Sequence, residues 1–144
     1  MKHRIYLSLG TNMGDRKSNI NTAVRLLEDA LGKAPAAISS MIESKSWGFE
    51  GGDFINCVLS FDTTLEPRGL LKVCKDIERR MGRRERIEYN GEGNRIYHDR
   101  IIDIDILLYG NLCINEPDLV IPHPLMKERD FIMRPLMEIF VENH

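Results

Sequence analysis

The stretch RIIDIDILLY, residues 100–109, places acidic side chains at every second position among aliphatic ones. This alternation predicts a β-strand, because successive side chains of a strand point to opposite faces of a sheet. Asp103 and Asp105 are expected on one face. The other face is predicted to carry Ile102, Ile104, Ile106 and Leu108. The elements that precede this strand in the sequence indicate the fold to which it belongs.

Two strands and a helix are predicted first. Residues 5–9 alternate and predict a strand, followed by a tight turn over residues 10–15. Apolar residues at helical spacing over residues 20–31, with Asp15 before them and Gly32 after, predict a helix. Residues 36–47 show a weaker strand pattern.

A further strand and helix complete the order. Residues 55–61 predict a strand antiparallel to that of residues 36–47, because only a short glycine-rich connection separates the two. A second helix is predicted from Thr64 and Pro67 to Gly82, with an apolar stripe formed by Leu70, Leu71, Cys74, Ile77 and Met81. The order predicts an α+β fold, a ferredoxin-like βαββαβ sandwich with an antiparallel sheet and additional C-terminal elements.

The composition is that of a small globular protein. The 144 residues are 42% hydrophobic and 29% charged, with a net charge of −2, so we expect a single domain over residues 1–144 without general affinity for nucleic acid. No apolar run reaches the roughly 18 to 20 residues of a membrane span. The three cysteines lack metal-binding spacing. We therefore expect a cytoplasmic monomer that binds small molecules.

The acidic pair predicts a magnesium site. Asp103 and Asp105 would lie about 7 Å apart along the strand, where a cation would relieve their repulsion, and hard oxygen ligands suit Mg²⁺. Arg100, just before them, would bind metal-bridged phosphates and offset developing negative charge. The alternative is a solvated sheet face whose acids happen to alternate.

Other candidate binding residues lie on either side. Phe54 and Asn56 share the strand face opposite Ile55, and an aromatic ring beside an amide suits a flat heterocycle, although an edge aromatic covered by a loop would look the same. His123, near Arg129, is either a phosphate donor or a surface or capping group. Residues 10–15 lack the glycine patterns of a phosphate-binding loop.

Five blocks in this order resemble the 6-hydroxymethyl-7,8-dihydropterin pyrophosphokinases, folate-pathway enzymes that make the pterin diphosphate from ATP. The blocks are residues 8–15, 53–56, 77–83, 99–108 and 122–131. The resemblance implies that Asp103 and Asp105 hold two Mg²⁺ ions that bridge the triphosphate, with ATP as co-substrate. Pterin contacts are implied for Ser44, Trp47, Phe54, Asn56 and Phe131. ATP contacts are implied for Glu78, Arg83, Arg100, Ile106, His123 and Arg129.

The implied reaction is attack by the hydroxymethyl oxygen of the pterin on the β-phosphorus of ATP, which releases AMP. The chain departs from the family pattern in a longer arm over residues 83–99, and Asp118 stands where some members have a nucleotide-binding arginine. Two rival functions remain. A magnesium-dependent nucleotide diphosphate hydrolase would not explain Phe54 with Asn56. In a ferredoxin-like binding module for RNA or metabolites, the acidic pair would repel a phosphate backbone without metal.

Overall fold

The structure, a computed structural model, describes residues 2–44, 53–82 and 101–141, together with the backbone of residues 88–89 and 95–96. In chain order the strands are β1 (His3–Thr11), β2 (Ala37–Ile38), β3 (Ile42–Ser44), β4 (Phe54–Thr63), β5 (Glu88–Tyr89), β6 (Arg95–Ile96), β7 (Asp103–Tyr109), β8 (Ile114–Glu116) and β9 (Leu119–Ile121). The helices are α1 (Arg16–Leu31), α2 (Pro67–Arg80) and α3 (Asp130–Ile139), and a 3₁₀ turn (Met126–Glu128) precedes α3.

The main sheet is antiparallel and has the order β2–β4–β1–β7, with β3 also paired to β4. The pairs β5–β6 and β8–β9 form separate small sheets. With its three helices the chain has a mixed α and β architecture. The described helices are all too short or too polar to span a lipid bilayer.

Both predicted helices are confirmed, and local chemistry explains where they begin and end. The Asp15 side chain accepts a hydrogen bond from the Ser18 N–H at 3.1 Å and caps α1. Gly32 ends this helix with a φ of 72°, a conformation that suits glycine. Pro67 occupies the first turn of α2, where a missing N–H has no cost.

The strand predicted over residues 36–47 is divided in the described part into β2 and β3. From Ile38 to Ile42 the chain advances four residues while β4 advances three, from Leu59 to Asn56, so the outer strand contains one extra residue. At this break the Ser39 hydroxyl accepts a hydrogen bond from the Val58 N–H at 2.8 Å. A side chain thus replaces part of the backbone ladder.

The sheet is covered on both faces. One face packs against α1 and α2 through a core that includes Leu7, Cys57, Ile104, Leu27 and Ile77. The other face packs against α3 through a smaller cluster: Tyr6, Val58, Leu107, Met126, Ile132 and Leu136. Further along β1 on this second face, the small residues Ser8 and Gly10 follow Tyr6, and the sheet surface opens into a cavity.

The predicted placement of Leu108 is wrong because β7 carries a bulge. Adjacent residues Tyr6 and Leu7 of β1 pair with Leu108 and Ile106, which leaves Leu107 as the extra residue. A bulge shifts the alternation of side chains by one position. Leu107 and Leu108 therefore both pack on the α3 side, whereas Ile104 and Ile106 lie on the α1 and α2 side as predicted.

Candidate active site

The register of the three central strands places the polar residues side by side. Gly10 pairs with Asn56 of β4 on one side and with Asp103 of β7 on the other, and Ser8 pairs with Asp105. Residues in register on neighbouring strands point to the same face of a sheet. Asn56 and Asp103 thus flank a glycine, which leaves the sheet surface between them without a side chain.

A cavity of about 690 Å³ lies above this surface and is also lined by residues at the start of α3. It is lined by Ser8, Gly10, Ser44, Phe54, Asn56, Asp103, Asp105, Leu125, Glu128, Arg129, Asp130, Phe131 and Ile132. Seven residues singled out from the sequence are therefore brought together: Ser44, Phe54, Asn56, Asp103, Asp105, Arg129 and Phe131. They come from three strands and from the N-terminal end of one helix.

Asn56 is held in one orientation. It is only 4% exposed, and its Nδ2 donates a hydrogen bond to the Ser44 Oγ at 2.6 Å. Its amide oxygen lies on the Gly10 side, where a β-carbon added at Gly10 would be 3.0 Å away. The amide therefore presents a fixed donor and acceptor to the cavity, which suits the edge of a heterocycle.

Phe131 and Arg129 lie at the start of α3. The guanidinium carbon of Arg129 is 5.7 Å from the centre of the Phe131 ring, a cation–π contact. Both side chains are half-buried and line the cavity. An aromatic surface and a cationic group thus adjoin on the wall that faces the sheet.

Asp103 is half-buried and Asp105 is exposed, and both line the cavity. Within the described part of the chain, no group of three or more histidine, cysteine, aspartate or glutamate side chains is arranged to hold a metal ion. A cation at the two carboxylates would complete its coordination with phosphate or water oxygens. Mg²⁺ is commonly bound in this way, so the donor set fits it.

His123 lies beside β7. Its backbone N–H donates to the Leu107 carbonyl at 3.0 Å, and its Nδ1 accepts from the Leu125 N–H at 3.3 Å. Burial lowers the pKa of His123. The negative charge of Asp105 opposes this shift, and the positive charge of Arg129 adds to it. A neutral imidazole bonded in this way carries its proton on Nε2, which is then the nitrogen that donates.

The sequence profile of the family described as 7,8-dihydro-6-hydroxymethylpterin-pyrophosphokinase (HPPK) matches residues 6–141. The chain belongs to this family. It is 44% identical over 136 residues to the 2-amino-4-hydroxy-6-hydroxymethyldihydropteridine pyrophosphokinase of Aquifex aeolicus. This alignment covers 94% of this chain and 79% of that protein. Proteins of the same name from Porphyromonas gingivalis and Bacillus subtilis are 38% and 34% identical; the alignments cover 94% and 96% of this chain and 89% and 79% of the relatives. The resemblance seen in the sequence blocks is confirmed.

Two residues with implied ATP contacts, Glu78 and Ile106, do not line this cavity. Glu78 is 2% exposed, its Oε2 accepts from the Ile104 N–H at 2.9 Å, and Lys75 Nζ lies 3.6 Å from its Oε1. The Ile106 side chain packs in the core against α1 and α2. An ATP contact of Ile106 would thus use its backbone, and Glu78 supports the outer edge of β7 through the Ile104 N–H.

Three predicted site residues, Trp47, Arg83 and Arg100, lie outside the described residues. Asp118 is bound by Arg68, whose Nη1 lies 2.7 Å from the Asp118 Oδ2; Arg68 also pairs with Glu116. These two pairs join the β8–β9 hairpin to the start of α2.

The cavity is also lined by residues that were not identified from the sequence. Gly10 was expected in a tight turn, but β1 extends to Thr11, and Gly14, with a φ of 60°, is the turn glycine. Ser8 and Gly10 lie on the same face of β1. Continuing the alternation of residues 5–9 to residue 10 would have placed both of them on the cavity face. Glu128 and Asp130 also line the cavity, and they belong to no periodic pattern in the sequence.

Proposed function

We propose that this cavity transfers pyrophosphate from ATP to 6-hydroxymethyl-7,8-dihydropterin, giving the pterin diphosphate and AMP in folate biosynthesis. This is the activity that the family and the names of the relatives describe. One observation supports it most: a single cavity is lined by the aromatic and amide set and by the acidic pair. Asn56 and Asp103 are two strand spacings apart, about 10 Å, which suits two substrates side by side.

The pterin would bind on the β4 side. Phe54 and Phe131 would stack on its two ring faces, since aromatic side chains favour flat partners, and Asn56, oriented by Ser44, would hydrogen-bond its edge. Trp47 is assigned to the same site from the resemblance. This arrangement would leave the hydroxymethyl group directed toward the acidic pair.

ATP would bind on the β7 side. Asp103 and Asp105 would hold two Mg²⁺ ions, which neutralise phosphate charge and polarise phosphoryl oxygens when bound. Arg129, the Nε2–H of His123, Arg83 and Arg100 would donate to the phosphates. The position of Glu78 suits a role in supporting β7. The position of Ile106 suits a contact between its backbone and ATP.

In the reaction, the hydroxymethyl oxygen of the pterin forms a bond to the β-phosphorus of ATP. The bond from that phosphorus to the oxygen bridging the α-phosphate breaks, AMP leaves, and the hydroxyl proton is released. Phosphoryl transfer depends mostly on alignment and charge stabilisation, so the fixed amide and the cationic groups would supply much of the rate increase.

We further propose that the chain is a single ferredoxin-like domain acting as a cytoplasmic monomer. The strand order β2–β4–β1–β7, with α1 and α2 packed on one face, supports the ferredoxin-like arrangement. The helix α3 and the β8–β9 hairpin would then be the C-terminal additions.

The deciding experiment incubates the protein with ATP and Mg²⁺, with and without the hydroxymethyl dihydropterin, and measures AMP and ADP. AMP that forms only with the pterin is the expected result. AMP formed without pterin would indicate a nucleotide hydrolase, ADP would contradict pyrophosphate transfer, and binding without turnover would indicate a binding module. Omitting Mg²⁺ tests the metal requirement separately.

A further inference from the structure

We infer that Gly10 is a positioning residue for the heterocycle: its missing side chain leaves the space in which the Asn56 amide keeps its orientation. This inference rests on the proposed pterin site. Gly10 lies within β1, bonded between β4 and β7, and opens into the cavity directly beside Asn56.

The backbone does not require glycine at this position. Among the described residues, the glycines with positive φ are Gly14, Gly32, Gly82 and Gly110, and Gly10 is not one of them. Any residue could adopt its strand conformation. The requirement for a glycine therefore comes from the space around the α-carbon.

That space is limited by the two residues assigned to the heterocycle. A β-carbon at Gly10 would lie 3.0 Å from the Asn56 Oδ1 and 3.7 Å from the Phe54 Cδ1. The second distance is an ordinary contact. The first is too short for comfortable packing, so either the strand or the amide has to move.

The amide is the part that moves. The backbone of β1 is held by ladders on both sides, whereas the Asn56 amide is oriented by the hydrogen bond from its Nδ2 to Ser44 Oγ at 2.6 Å. A methyl group at residue 10 would push the amide oxygen by a few tenths of an ångström out of the orientation that Ser44 sets. The acidic pair on β7 would keep its place.

The test is Gly10→Ala, with the Michaelis constant for the pterin, the dissociation constant for ATP and the melting temperature measured together. We expect the pterin constant to rise about five- to tenfold, the size of one misplaced hydrogen bond, while ATP binding stays within about twofold. Gly69→Ala is the matched control, since its β-carbon in α2 would meet only Leu65, at 3.7 Å. It should leave both constants unchanged.

The Asn56→Ala background identifies the cause. Once the amide is removed, Gly10→Ala should change the pterin constant by less than about twofold further, because the short contact no longer exists. If Gly10→Ala alone does not fold, the double variant should fold and match Asn56→Ala; failure of both to fold overturns the inference. So does an unchanged pterin constant in Gly10→Ala, or an equal loss of pterin and ATP binding. Absence of pterin-dependent AMP formation in the unsubstituted protein would instead overturn the proposed function.

Discussion

The two sides of the cavity, separated by Gly10, are held in different ways. On the β4 side Asn56 is buried and its amide is fixed by Ser44. On the β7 side Asp103 is half-buried and Asp105 is exposed. Their strand lies at the edge of the sheet, where Glu78 accepts a hydrogen bond from its backbone. The uncharged side is thus held in place by the protein's own contacts. The charged side would be completed by the ions and phosphates that it binds.

The largest expected effect comes from removing charge on the β7 side. Asp103→Asn and Asp105→Asn should each reduce AMP formation by on the order of a thousandfold, because the carboxylates would hold the cations that stabilise the phosphates. Turnover is measured over a range of Mg²⁺ concentrations, with the melting temperature as the check on folding. Asp76→Asn on the exposed side of α2 is the control. Asparagine variants with normal Mg²⁺-dependent turnover would remove the metal site from Asp103 and Asp105.

Removing the aromatic ring from α3 should affect mainly the uncharged side. Phe131→Ala is expected to weaken pterin binding by roughly tenfold or more, the range of an aromatic stacking contact, with a smaller effect on ATP through the neighbouring Arg129. Calorimetric titration of each ligand measures the two affinities. Phe140→Ala, at the other end of α3 beside Tyr6, is the matched control. A larger loss of ATP affinity would move Phe131 to the nucleotide site.

Removing the hydrogen bond that Glu78 accepts from β7 should have a smaller effect on turnover. Glu78→Leu removes the acceptor for the buried Ile104 N–H and should cost about 1–3 kcal/mol in the free energy of unfolding, and the Mg²⁺ concentration for half-maximal turnover should rise severalfold. Glu78→Gln retains an acceptor and should show less of both effects. Urea unfolding and Mg²⁺ titration measure them. If the leucine variant matched the unsubstituted protein in both, Glu78 would have no supporting role.

The smallest expected effect concerns the attachment of α3 to the outer strands. The Ser40 hydroxyl donates to Glu138 at 2.5 Å, and this bond together with the Ser40 N–H holds the pKa of Glu138 below its usual range. The resulting stabilisation is present above the pKa of an unfolded-state carboxyl and is lost as pH falls through the lower folded-state pKa. Glu138→Gln should therefore differ from the unsubstituted protein at neutral pH and converge with it in acid. The pterin constant should change by roughly twofold or less, since the pair is exposed.

Thermal unfolding at a series of acidic and neutral pH values checks this last prediction. Glu128→Gln, at an exposed position of the 3₁₀ turn, is the control for loss of a carboxylate near α3 in the unfolding measurement only, because Glu128 lines the cavity. A constant difference between Glu138→Gln and the unsubstituted protein at every pH would show that the carboxylate charge is not the cause.

The faces of β4 and β7 were predictable from the sequence because alternation is a local property. Phe54 and Asn56 lie opposite Ile55, and Asp103 and Asp105 lie opposite Ile104, as expected. The caps of α1 were equally local. The bulge at Leu107 and the break at Ser39 were not predicted, since each depends on how two strands align.

The sequence by itself determined the family, the order of the main strands and helices and most of the side chains that each strand presents, because blocks and periodicities are read within one segment. Only the tertiary structure decided that Gly10 lies between Asn56 and Asp103, and that Glu78 bonds the edge of β7 instead of lining the cavity. Register and packing join residues distant in the chain. Their relative positions follow from the whole core, which no single stretch of sequence contains.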